Sequence, residues 1–253
     1  AAAISVSRLQ PELAIESLLS ALQADPTNAF ALEMLGQQFA RAEQYARAVE
    51  YFESNADLGE GDPETTIGLA RSLIGLEAYD DARALLEAGL EQFPRDARFP
   101  YLLGRVYELE AEFELARQYY RQAVQIDPQN VRPMVSLAQL AERENMPAES
   151  LRMLDEAYSI NTNSASRSNE IGEMYLRLGE TNRAVTAFRG ALAIDQSHPD
   201  ARINLTEYYL NTGQQQRAIE NLQEMINAGV DSPKVRFINA RALHGLEEFD
   251  RAI

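Results

Sequence analysis

The sequence predicts an all-α stack of helical hairpins, and three observations carry that prediction. Small residues recur every 34 positions: from Ala116 the step lands on Ala14, Ala48, Ala82, Ser150, Ala184, Ala218 and Ala252, with no insertion or deletion. Bulky residues keep the same register, as Leu18, Phe52, Leu86, Tyr120, Leu154, Phe188 and Leu222 in one series, and Leu35, Leu69, Leu103, Leu137, Ile171 and Leu205 in another. Pro26, Pro94 and Pro128 also share one register, and proline cannot continue a helix. So strict a period marks an array in which each unit packs only on its neighbours.

Residues 97–130 show the unit most plainly. In a first helix Leu103, Gly104 and Tyr107 share one face; in a second, Ala116, Tyr120 and Ala123 recur at helical spacing. Small Gly104 and Ala116 bring the two helices close, and the tyrosines fill the space beside them. In chain order, 1–28 holds part of a unit, a second helix from Pro11 to Pro26 with Ala14, Leu18 and Ala21 inward. Units 29–62, 63–96 and 97–130 are regular. In GEGDPETT (59–66), Gly61 suits a helix end and Pro63 a first helical turn. Unit 131–164 departs most. Ala138 and Ala141 replace Gly and Tyr, Pro147 opens the second helix, and Ser150 replaces Ala. Looser packing is expected there, with Ser150→Ala neutral or stabilising. The polar stretch 161–170 reads as a longer turn or as a bend between two halves. Units 165–198 and 199–232 are regular, and 233–253 is truncated. Both ends fall inside units, so a segment of a longer protein is expected, with unfinished ends open to self-association.

The unit resembles the tetratricopeptide repeat. Its pattern of Leu-Gly, Tyr, Ala, aromatic, Ala and Pro is met by Leu103-Gly104, Tyr107, Ala116, Tyr120, Ala123 and Pro128. It recurs in Leu35-Gly36, Phe39, Ala48 and Phe52, and in Ile171-Gly172, Tyr175, Ala184, Phe188 and Ala191. The resemblance implies a right-handed superhelical solenoid of about seven helix–turn–helix repeats, whose first helices line a concave face that binds proteins or peptides.

Net charge is −16. Holding a phosphate backbone takes Lys and Arg that release counterions, so nucleic acid and anionic membranes are not expected partners. No apolar run approaches the roughly 18 residues a membrane span needs. Without cysteine there is no disulfide or thiol chemistry, and the compartment, cytoplasmic or periplasmic, stays open. The bases are 22 Arg and the single Lys234, which reflects either genome composition or bidentate carboxylate recognition. His198 and His244 have no His or Cys at ligand spacing, so neither metal nor cofactor is expected. No phosphate-loop, dinucleotide or nucleophile-elbow motif occurs, and the chain does not read as an enzyme.

The candidate site is the concave face, at positions 2, 5, 9 and 13 of each unit. Arg71, Arg98, Arg105 and Arg132 fall there, with Ile67, Tyr101 and Val135 between them and Arg143 further along; Glu170, Glu173, Asp200 and Glu207 turn later units acidic. The functional reading is a groove for a peptide with acidic side chains or a free C-terminus, Arg forks taking its carboxylates and Tyr101 anchoring it. The opposing reading is an ordinary polar face, with Glu108 and Glu142 neutralising the arginines. The Lys/Asn carboxylate clamp and the asparagine ladder known in the family are not matched, since only Asn204 stands at the ladder position. The expected function is a non-catalytic protein-binding scaffold; the alternatives are the recruiting array of a larger enzyme or of a secretion or polysaccharide-export machine, and self-assembly through the ends.

Overall fold

A computed structural model describes residues 2–57, 62–160, 163–227 and 232–245, with side chains from residue 13 onward. Gly59 and Gly61, residues 161–162 and any helix after residue 245 lie outside the described residues. Those described form fourteen helices and no strand, an all-α repeat solenoid. After α1 (Ala2–Ala24), first helices α2 (Ala29–Arg41), α4 (Pro63–Gly75), α6 (Arg98–Leu109), α8 (Val131–Arg143), α10 (Ala165–Arg177), α12 (Pro199–Asn211) and α14 (Pro233–Gly245) alternate with second helices. The second helices are α3 (Tyr45–Ala56), α5 (Tyr79–Gln92), α7 (Phe113–Ile126), α9 (Pro147–Ile160), α11 (Thr181–Ile194) and α13 (Gln215–Asn227). They form two compact units, Ala1–Pro128 and Gln129–Ile253. The division falls at 128/129 rather than within 161–170.

Short polar side chains start the first helices, as N-caps do. Asn28, Asp62 and Ser164 accept from the N–H three residues on, with Pro63 in the first turn of α4, and His198 does so through Nδ1. Their ends follow one rule. A residue with positive φ recurs in register at Glu43, Glu77, Ala111, Asn145, Gly179 and Gly213. The next N–H reaches back five residues, as from Glu112 to the Tyr107 carbonyl at 2.8 Å. This Schellman closure satisfies carbonyls the helix end would leave bare and turns the chain into the second helix.

The core is the in-register stripe. Leu35, Ala48, Leu86, Leu103, Ala116, Tyr120, Ala184 and Phe188 are all fully buried or nearly so. Two expectations change. Ala14 is exposed, because α1 turns Ile15, Leu18, Leu19 and Leu22 toward the core around Leu35 and Phe39. The hairpin α8–α9 is not loose: Ala138, Ala141, Ser150 and Leu154 have no exposed surface. Ser150 Oγ donates to the Ala138 carbonyl at 2.9 Å. The hydroxyl thus has a buried partner that the sequence did not reveal, so Ser150→Ala is expected to cost stability rather than to be neutral or stabilising.

Candidate functional site

In the first unit, α4 and α6 are joined through Arg98. Its Nε lies 2.9 and 3.0 Å from the two Asp96 oxygens and its Nη2 donates to Asp96 at 2.6 Å. Its Nη1 reaches Glu64 Oε1 at 2.5 Å. These bonds hold the Asp96 carboxyl below its usual range. Arg98, expected to grip a ligand, is already held by two internal carboxylates. Arg105 and Arg71 are exposed on α6 and α4. Tyr101 is half-buried, its ring 5.8 Å from that of Tyr120. Glu108 accepts the Tyr120 hydroxyl at 2.6 Å. On α2, burial first, then Asp62 and Glu64, push the Glu33 carboxyl upward, while Gln37 donates to it at 2.9 Å.

In the second unit, Asn204 Nδ2 on α12 donates to Asn169 Oδ1 (2.9 Å) and Glu173 Oε1 (3.0 Å) on α10, and Asn169 Nδ2 donates to the same Glu173 oxygen at 2.9 Å. Gln139 reaches Glu170, which also pairs with Arg167. Arg177 forks onto Glu142 at 2.7 and 3.0 Å. Glu207 lies 3.9 Å from Lys234. Arg132 and Arg143 are exposed. The contrast between Arg98 and Arg132 has a one-atom cause. Both backbone N–H groups are capped by the residue two before, Asp96 at 3.0 Å and Asn130 at 3.2 Å, but only the carboxylate also draws the guanidinium back.

Val135 is corrected. It is 2% exposed, core rather than groove, and so are Ile67 and Ile203 at the same position. Position 5 faces the seam between consecutive first helices: Ile67 packs with Phe99 and Leu102, and Ile203 with Val235 and Ile238. No ligand side chain reaches them. The sequence reading also missed an aromatic residue followed eight positions on by Arg. The Arg47 guanidinium lies 3.8 Å from the Phe39 ring centre, and those of Arg183 and Arg217 lie 6.0 Å from Tyr175 and Tyr209. The i, i+8 spacing was there to be read.

Helical hairpins packed in one repeated register define a class, the helical-repeat proteins. Within it, models described as Tetratricopeptide repeat match residues 67–131 and 175–243, together more than half of the chain. Another, described as Anaphase-promoting complex, cyclosome, subunit 3, matches residues 12–89. The TPR repeat-containing protein YpiA of Bacillus subtilis is 24% identical over 240 residues, 92% of this chain and 55% of its own. Tetratricopeptide repeat protein 21A of Mus musculus is 26% identical over 208 residues, 81% of this chain and 15% of its own. The solved APC/C hetero-tetramer Cut9–Hcn1 superposes with a TM-score of 0.62 at 17% identity, over 94% of this chain and 47% of that one, a likeness of fold. The chain belongs to the tetratricopeptide repeat family, whose members generally mediate protein–protein interaction. It spans little more than half the length of one of these relatives and a small part of the other. No described helix is long and apolar enough to cross a membrane.

Proposed function

We propose that this chain is a non-catalytic scaffold holding a partner protein or peptide on its first helices, with repeats bounded as 29–62, 63–96, 97–130, 131–164, 165–198 and 199–232. The supporting observation is the set of side-chain bonds tying successive first helices together, Glu64 to Arg98 in one unit and Asn169, Glu173 and Asn204 in the other. Polar groups fixed before binding lose little freedom when a partner arrives. In the first unit Arg105, with Arg71 and Tyr101, is the place for acidic side chains or a free C-terminus. In the second, Glu173 and Glu207 favour basic groups, and Arg132 and Arg143 favour acidic ones. A second reading, the recruiting array of a larger enzyme or of a secretion or polysaccharide-export machine, draws on the greater length of the relatives.

The test uses a partner recovered with the intact chain. Arg105→Ala should weaken its affinity by about 1–3 kcal/mol and flatten its salt dependence, if the bonds are charge-assisted. Arg98→Ala should matter far less, because that fork serves Asp96 and Glu64. Full affinity and an unchanged salt dependence in Arg105→Ala would remove this face as the site.

A further inference from the structure

Two cavities beside the second helices are not used by the first-helix reading. A cavity opens between consecutive second helices in each unit. In the first unit it measures about 540 Å3, between Ile15, Glu16 and Leu19 of α1, Phe39 of α2 and Arg47 of α3. In the second it measures about 240 Å3, between Asp155 and Tyr158 of α9, Tyr175 of α10 and Arg183 of α11. The two share one register: Leu19, Phe39 and Arg47 stand four periods before Asp155, Tyr175 and Arg183.

The second cavity shows what an arginine held there pairs with. Asp155 takes the Arg183 Nη1 at 3.1 Å and the Tyr175 hydroxyl at 2.7 Å. In the first cavity that register holds Leu19, which with Ile15 forms an apolar strip on a wall that Glu16, Ser20 and Gln23 complete. Among the described residues Arg47 has no ion pair; its one hydrogen bond goes to the neutral Gln44 Oε1 at 3.1 Å. Stacked on Phe39, the guanidinium keeps most of its donors for something else. Glu16 shares the cavity without pairing with Arg47.

We propose that the first cavity binds the C-terminal residue of a partner chain. Its α-carboxylate lies on the Arg47 fork, as Asp155 lies on Arg183, and its apolar side chain rests against Ile15 and Leu19. One occupant answers both features: a bidentate cation needs a carboxylate, and the wall beside it needs apolar surface. The inference rests on the protein-binding reading only in requiring a partner chain, and it uses a different face.

The test titrates an acetylated tetrapeptide ending in leucine, as free acid and as C-terminal amide, into the whole chain. The acid should bind at least about tenfold more tightly than the amide, since a charge-assisted fork is lost with the charge. Arg47→Gln should bring the acid to the level of the amide. Leu19→Asp, which installs the second cavity's carboxylate, should do the same with the helical circular dichroism unchanged, and Glu16→Gln should tighten the acid. In an Arg105→Ala chain, where the first-helix face no longer takes a carboxylate, the preference for the acid should keep its dependence on Arg47. Equal binding of acid and amide, no binding up to about 10 mM peptide, or an acid preference that survives Arg47→Gln would each overturn the proposal. If Arg105→Ala alone removes binding, the peptide sits on the first helices: this inference fails and the proposed function stands. If Leu19→Asp unfolds the chain, the acid–amide comparison in Arg47→Gln decides.

Discussion

The hairpins α6–α7 and α8–α9 close the same gap by different means. In α6–α7 Gly104 lies under Tyr120, and a methyl added there would sit 2.6 Å from the ring. In α8–α9 the same register holds Ala138 and Leu154, and Ser150 adds a hydrogen bond across the pair. Both are fully buried. The trade runs through the chain: Gly36 with Phe52 and Gly172 with Phe188, but Ala70 with Leu86 and Thr206 with Leu222. What the repeat preserves is the summed volume of the facing pair rather than either residue. A hairpin that departs from the glycine–aromatic pattern is therefore a second packing solution, and it is not a weak joint.

The largest expected effect tests that trade. Gly104→Ala should destabilise by about 2 kcal/mol in thermal or urea unfolding, overpacking outweighing the gain in helix propensity. In a Tyr120→Leu background the same change should cost far less or stabilise, by up to about 1 kcal/mol, because the ring contact is gone and only the Ala116 carbonyl, 3.1 Å from the added methyl, opposes the propensity gain. Equal effects in both backgrounds would refute volume compensation. Next, Ser150→Ala should cost about 1 kcal/mol for the lost buried hydrogen bond, whereas Ala116→Ser should gain nothing comparable. A neutral Ser150→Ala would mean that the hydroxyl only fills space. Smallest is the turn after each first helix. Its left-handed residue is Glu43, Glu77 or Ala111 in the first unit and Asn145, Gly179 or Gly213 in the second. Ala111→Gly should stabilise by up to about 1 kcal/mol and Asn145→Gly by much less, since asparagine tolerates that conformation. Identical shifts in melting temperature would break this contrast between the units.

The sequence shows most of the fold because its strongest signal is periodic. A residue such as Ala116 or Phe188 owes its burial to a register repeated along the chain, so one reading error cannot displace it. The site is less legible, for two physical reasons. Position 5 lies one helical step from the packing stripe, and whether Val135 or Ile67 faces solvent or the next first helix depends on how far that helix rotates. Pairing is hidden as well: nothing in the spacing separates Arg98, drawn back by Asp96, from Arg132, left exposed by Asn130, until the side chains are placed. The Phe39–Arg47 spacing was readable too, and it runs from a first helix to the second helix that follows it.

The pairing of Gly104 with Tyr120 also bears on how such a chain can change. Although Phe52 also presses on Gly68 and Phe99 on Gly89 of neighbouring hairpins, each pair of this register lies within one hairpin, so a whole 34-residue hairpin carries that pair's fit when it is duplicated, lost or exchanged. A crossover in the turn between the two helices does not. Joining α6 to α9 would set Gly104 over Leu154 and leave a hole, and joining α8 to α7 would press Ala138 into Tyr120. A breakpoint in a loop before a first helix therefore keeps the pairs within hairpins and leaves only contacts such as Phe52 on Gly68 to be refitted.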